Sequence, residues 1–295
     1  GNTISGNKAG ITLTSAQNLF IGGVASSFKN TIDSNTETGL FGTGVLTGTK
    51  FRGNSLTGNL TGVSLVDAQG LSLGTAEAGG GNTIAGGTTG VRAVGNLSSS
   101  TIAGNAITGQ TTGIQMINAT GASGATPFFV GGAATTVGNG VGNYVASTVH
   151  GLYAAGAMTN TTIAGNIFSA SAIGGSAMVL ENTTGLTVGG SAAGTGNTLT
   201  AASGNGLYAA GFMTGTGFYK NTLTASVNGA LLNSVKNFLF GVANNAALGN
   251  TVQYNKVGVY AMGNCAGSGV CYTTWFNNIK KLQSTATSLI VFPKP

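Results

Sequence analysis

Few side chains in this 295-residue chain could do acid–base, nucleophilic or metal chemistry. Its carboxylates are Asp33, Glu37, Asp67, Glu77 and Glu181, and its lone imidazole is His150. Glycoside hydrolysis needs two carboxyl groups about 5 to 10 Å apart. Asp33 and Glu37 are near enough in sequence to interact, but no Arg, His or second acidic group accompanies them, so they read as a solvated turn. Asp67 and Glu181 read as members of one repeated column that also holds Ser15, Asn118 and Ser234. They lie four repeats apart, roughly 19 Å at the strand spacing, too far to share a glycosidic bond. Arg52 and Arg92 lack the carboxylate cluster that would hold a hard cation beside them. His150 precedes a strand and has no Ser or Asp with which to form a nucleophilic triad. No catalytic residue, metal site or cofactor is therefore expected.

Cys265 and Cys271 flank the spacer AGSGV, which lets two sulfurs meet across a tight loop, and a local disulfide is expected. That bond would place the chain in an oxidising, extracytoplasmic compartment. Two thiols with one distant His do not make a zinc site.

Composition narrows the partners. Charged residues make up 5% of the chain while Gly alone numbers 53, so solubility must come from Ser, Thr, Asn and backbone. The net charge of +6 is not a nucleic-acid footprint. Lys8, Lys29, Lys50, Arg52 and Arg92 balance the acids, and the excess is scattered over Lys220, Lys236, Lys256, Lys280, Lys281 and Lys294, without an Arg cluster or aromatic interleaving. No apolar run reaches the ~18 residues of a membrane span. The chain opens at Gly1 with no leader-like segment, as a processed secreted protein or a fragment would.

The elements that must position these groups repeat along the whole length. An Asn followed two places later by an apolar residue recurs at Asn2, Asn30, Asn54, Asn82, Asn105, Asn143, Asn166, Asn197, Asn221, Asn250 and Asn277. A second column starts about eight to eleven residues on, as in Gly10-Ile11-Thr12-Leu13 or Gly151-Leu152-Tyr153, and alternates apolar with variable residues like a half-buried strand. A third closes each repeat, as in Leu71-Ser72-Leu73-Gly74 or Thr101-Ile102-Ala103-Gly104. Every second repeat then carries an extra loop, such as VASSFK, TAEAGGG or AATTVGNGVG. Asn and Gly suit corners that need tight or left-handed backbone, and stacked Asn amides can hydrogen-bond along a column.

The stretch NTISGNKAGITLTSAQNLFIGG resembles the repeats of right-handed parallel β-helix proteins of the pectin-lyase-like superfamily, including bacterial surface and carbohydrate-binding types. The resemblance runs over essentially the whole chain. It implies an all-β, right-handed, single-stranded parallel β-helix filling one domain over 1–295, with about eleven coils of three strands that alternate between long-loop and short. The scaffold carries lyases, hydrolases, adhesins and inert spacers alike, so it does not settle the activity.

One outward column is distinctive. The residue between the two inward apolar positions of the second strand reads Thr12, Phe41, Ser64, Arg92, Gln115, Tyr153, Met178, Tyr208, Leu231, Tyr260 and Ile290. From Tyr153 onward it is an aromatic and aliphatic stripe, and such stripes mark contact surfaces. Low charge, the stripe and the lack of end caps lead to an expected non-enzymatic extracellular structural protein: a subunit of a surface filament, sheath or adhesin stalk that self-associates or meets other surface proteins. Polysaccharide binding or degradation is the alternative. Ice binding is a lesser one, because Thr12-Leu13-Thr14, Thr198-Leu199-Thr200 and Thr222-Leu223-Thr224 are read as lying in different columns.

Overall fold

The structure, a computed structural model, describes the chain apart from residues 123–125, 133–141, 193, 242–244, 254, 272, 277, 279 and 293–295. The chain winds as a right-handed parallel β-helix. Its first wall is an 11-stranded sheet built from the strand that follows each corner Asn. Thr3–Ser5 pairs with Thr31–Asp33, which pairs with Ser55–Thr57, and so on to Thr274–Phe276, every pair parallel and in register.

The second and third walls are built from the other two strands of each coil. They join into one 20-stranded sheet, because the two strands run together in coils six and seven as His150–Ala164 and Ser176–Gly189. In coil six the bend falls at Gly156 and Asn160, both left-handed (φ 85° and 55°), and pairing with the next coil resumes beyond it.

The corner before the first wall holds the Asn ladder. Each Asn gives its backbone N–H and its side-chain amide to the Oδ1 of the next, from Asn2 to Asn30 and onward to Asn250, with backbone distances of 2.9 to 3.2 Å. Members from Asn54 to Asn250 are at most 1% exposed, so these bonds answer buried polar groups that water cannot reach. Asn277, expected as the eleventh rung, lies outside the described residues. Strand register puts Thr273 at the next rung, since Thr251 pairs with Thr274. A second, partial ladder stands five residues after the first. Asn7, Asn35 and Asn59 are linked in the first coils, and Asn255 and Asn278 in the last.

The alternation of coil types reaches the interior. Along the second wall one inward column reads Leu13, Gly42, Leu65, Ala93, Met116, Ala154, Leu180, Ala209, Leu232 and Ala261, large in odd coils and small in even ones. Even coils return the volume at the following corner with the fully buried Leu46, Leu97, Met158, Met213 and Cys265. Gly42 shows the exchange: a Cβ there would press on both Leu65 (3.1 Å) and Leu46 (3.3 Å). Filling each void from the neighbouring coil keeps the core at the density that interiors require.

This column corrects the expected disulfide. Cys265 is a free thiol occupying a core position, its Sγ directed at the Met262 carbonyl (3.6 Å), and burial pushes its pKa up. Cys271 contributes backbone to the third-wall strand Gly269–Cys271.

The threonine reading also changes. Thr198 pairs with Thr222 and Thr200 with Thr224 on the first wall, whereas Thr12 and Thr14 belong to the second. The first-wall hydroxyl columns are interrupted by Ala106, Tyr144 and Ile167, so they do not form the unbroken flat lattice that ice would demand.

Candidate functional site

The second wall presents its outward side chains in register over successive coils. The observed column reads Thr12, Phe41, Ser64, Arg92, Gln115, Tyr153, Val179, Tyr208, Leu231, Tyr260 and Gln283. Two expected members are displaced. Met178 points inward, fully buried between Leu152 and Leu207, and Val179 takes its place. Ile290 belongs to the third wall, paired with Gly269. Tyr153, Tyr208, Leu231 and Tyr260 are half-buried and share one face, while Val179 between them is buried.

Polar groups gather beside it. Tyr153 donates its hydroxyl to Glu181 Oε2 at 2.8 Å, one coil on, and this hydrogen bond raises the phenol's pKa. Asn233 Nδ2 donates to Tyr208 Oη at 3.2 Å. A neighbouring outward column carries His150, Ser176, Asn205 and Asn228, linked by Asn228 Nδ2 to Asn205 Oδ1 (2.8 Å) and Asn205 Nδ2 to Ser176 Oγ (3.4 Å). Between these columns lies a hollow of 340 Å³, with His150, Tyr153, Glu181 and Tyr208 in its lining. The His150 ring sits 6.2 Å from that of Tyr153. Sequence reading found the tyrosines but neither His150 nor Glu181 as their neighbours. The signal was present in Gly151-Leu152-Tyr153, which fixes His150 at the strand's first position.

Glu181 and Asp67 do not share a column. Val66 is the residue in register with the Glu181 position, through Val94, Ile117 and Ala155. Asp67 instead aligns with Ser15, Asn118, Asn182 and Ser234, all with φ near 50°, and its Oδ1 accepts the Asn96 N–H at 2.8 Å. The other acids are likewise occupied. Asp33 accepts from Thr57 Oγ1 (2.7 Å) and Ser34 Oγ (2.9 Å), which holds its pKa down and unsuits it as a general acid. Glu37 pairs with Lys8 at 3.3 Å. Glu77 pairs with Arg52 at 2.8 Å, so Arg52 is not the isolated cation it seemed.

Burial lowers the His150 pKa, opposed by the nearby charge of Glu181. The groups in register on either side, Thr112 and Ser176, carry no charge. The folded pKa is then below the unfolded one, so the unfolded chain takes up the proton first as pH falls below about 6.5. The His150 contribution is absent at neutral pH, turns destabilising as pH falls through the unfolded value and stays so below the folded one. Thermal melts should show that decline, and His150→Gln should flatten it; an unchanged pH profile in the variant would sink the assignment.

Among the described residues no group of three His, Cys, Asp or Glu comes together to hold a metal, and no helix is long and apolar enough to cross a membrane. What the hollow offers is an aromatic surface ringed by hydroxyls, amides and one carboxylate. Glu181 has no second carboxylate in the lining, so the pair used in glycoside hydrolysis is incomplete here.

No family model and no curated protein matches the chain by sequence. Solved structures do match. The A-module of mannuronan C-5 epimerase AlgE6 from Azotobacter vinelandii superposes over 100% of this chain and 90% of its own, with 11% identity and a TM-score of 0.50. The likeness shows the fold, a parallel β-helix. Alginate lyase from Paenibacillus sp. str. FPU-7 covers 99% of this β-helix and 89% of its own chain (14% identity, TM-score 0.33). DFA-IIIase from Arthrobacter chlorophenolicus A6 covers 90% and 68% (12% identity, TM-score 0.35). At such identities the likeness speaks for the β-helix and not for its chemistry.

Proposed function

We propose that this β-helix is a non-enzymatic extracellular protein that holds a polysaccharide along its second wall. The observation that carries the reading is the half-buried column Tyr153, Tyr208, Leu231 and Tyr260, flanked by the Tyr153–Glu181 and Asn233–Tyr208 hydrogen bonds. Tyr recurs at every second coil, about 10 Å apart, a spacing on which rings of an extended glycan can lie. Aromatic faces supply contact area, and the amide and hydroxyl ladder supplies hydrogen bonds that sugar hydroxyls can exchange with water. Tyr153, Gln115 and Arg92 continue the track towards the first coils.

Affinity electrophoresis through gels containing alginate, pectin or laminarin tests the proposal. At least one polymer should retard the protein, and Tyr208→Ala or Tyr153→Ala should each weaken retention about tenfold, as loss of a central aromatic anchor does. Met178→Leu, an interior change, should leave it intact. Sedimentation of the same samples covers the filament reading: self-association with no polymer retained would overturn polysaccharide binding in favour of a structural subunit.

A further inference from the structure

The alternation of long and short coils leaves slots on the third wall. The loops that follow this wall in coils seven and nine contribute Ser191 on one side and Gly241 and Leu248 on the other, two coils apart and about 10 Å at the strand spacing. Coil eight between them runs only 24 residues from Asn197 to Asn221 and has no such loop. Its third-wall strand, Gly217–Tyr219, floors a hollow of 680 Å³.

The floor depends on Gly217. This residue pairs with Thr187 and Leu239 at the outward position that earlier coils fill with Lys50, Ser72, Thr101 or Phe129. Without a Cβ there, the Tyr219 ring lies down across the strand: a Cβ on Gly217 would stand 2.3 Å from both Cε1 and Oη of Tyr219. The ring thus forms a flat, half-buried platform, and its hydroxyl has no hydrogen-bond partner among the described residues. Ser191 and Leu248 line the sides, with Thr187, Thr216 and Asn237 around the ring. Lys220 Nζ donates to the Ser191 carbonyl at 2.8 Å, so that charge is engaged at the edge of the slot. No carboxylate lines the hollow.

The equivalent slot over coil two shows the closed form. There Arg52 bridges to Glu77 at 2.8 Å, while Lys50 and Arg52 cover the Phe20 ring at 5.6 and 5.8 Å. Among the described residues the lining of the coil-eight slot is uncharged, with Lys220 held at its edge.

We infer that the slot over coil eight binds a single neutral pyranose ring, seated flat on Tyr219 with its hydroxyls towards Thr187 and Asn237. An aromatic face meets the C–H face of a sugar, and the width between the loops admits one ring. The hollow also falls in the size range of small-ligand sites. The lack of any free charge disfavours an ionic ligand, whose desolvation nothing would repay. This site lies on a different wall from the polysaccharide track and does not rest on it.

Ligand-observed NMR with methyl glucoside, methyl galactoside and methyl mannoside tests the slot, because a monosaccharide can occupy it but cannot span the second-wall column. At least one glycoside should bind saturably with roughly millimolar affinity, the range a ligand of this size reaches. Tyr219→Ala should weaken it about tenfold or more, Tyr219→Phe should keep it, and Gly217→Ala, by lifting the ring, should behave like Tyr219→Ala. Tyr208→Ala should have no effect. Absence of saturable binding by all three glycosides would overturn the proposal, as would affinity indifferent to Tyr219→Ala in a variant that keeps the wild-type melting temperature.

Discussion

Asn166→Ala should lower stability by about 3–5 kcal/mol, which for a chain of this size is a fall on the order of 10 °C in melting temperature. Asn166 is 1% exposed and stands mid-ladder. Its Oδ1 accepts the backbone N–H and the amide of Asn143, both at 2.9 Å. Its Nδ2 donates to Val130 O, Ala164 O and Asn197 Oδ1 at 3.0, 3.1 and 3.0 Å. Truncation removes these bonds and strands the buried Asn143 N–H, and each unanswered buried group costs about 1–3 kcal/mol. A solenoid adds a second consequence. Each coil is stabilised chiefly by its neighbours, so a broken rung weakens the coupling between the two halves. Calorimetry should show a lower and broader transition. A loss of under 2 °C would mean that the ladder marks the corner without stabilising it.

The second large effect is expected at Gly156→Ala. Gly156 is left-handed (φ 85°), and an added Cβ would stand 2.1 Å from Asn118 Oδ1, the atom that accepts the Ala157 N–H at 3.0 Å. The pattern holds at every such corner. Ser15, Asp67, Asn118, Asn182 and Ser234 of odd coils each lie where the Cβ of Gly44, Gly95, Gly156, Gly211 or Gly263 would go. The odd coil contributes a side chain and the even coil contributes its absence. Left-handed strain and the displaced Asn118 together should cost about 2–4 kcal/mol. Adding Asn118→Gly removes the clash, so the double variant should be less destabilised than the sum of the single ones by about 1 kcal/mol or more. Strict additivity in denaturant titrations would refute the proposed exchange between coils.

Much of this architecture is legible in the sequence because each coil meets nearly identical surroundings. The corner Asn, the inward apolar residue two places on and the closing Gly recur wherever the backbone demands them, and the observed register runs through them from Asn2 to Asn250. The misreadings share one physical cause: period-two alternation assigns a face only when one face is polar. In Ser176-Ala177-Met178-Val179-Leu180 every candidate is apolar, and Ala177 replaces the Gly that anchors other coils, Gly151 among them, so the frame slips by one. At the last corner strand register gives the ladder position to Thr273, where the sequence has no Asn. The thiol was misread for a similar reason. Two nearby Cys suggest a bridge, while only the stacked column of Leu46, Leu97, Met158 and Met213 shows that Cys265 faces inward.

Local demands are therefore written in single residues: where the chain turns, which residues point inward, and that the coils alternate. What those residues meet was decided by stacking. His150, Tyr153, Glu181 and Tyr208 are up to 58 residues apart in sequence, yet adjacent coils bring them around one hollow. The slot on Gly217 exists because two long loops flank a coil that lacks one. In a solenoid, lateral neighbours are separated by a full turn of variable length, so the sequence specifies each rung while the register between rungs makes the surface.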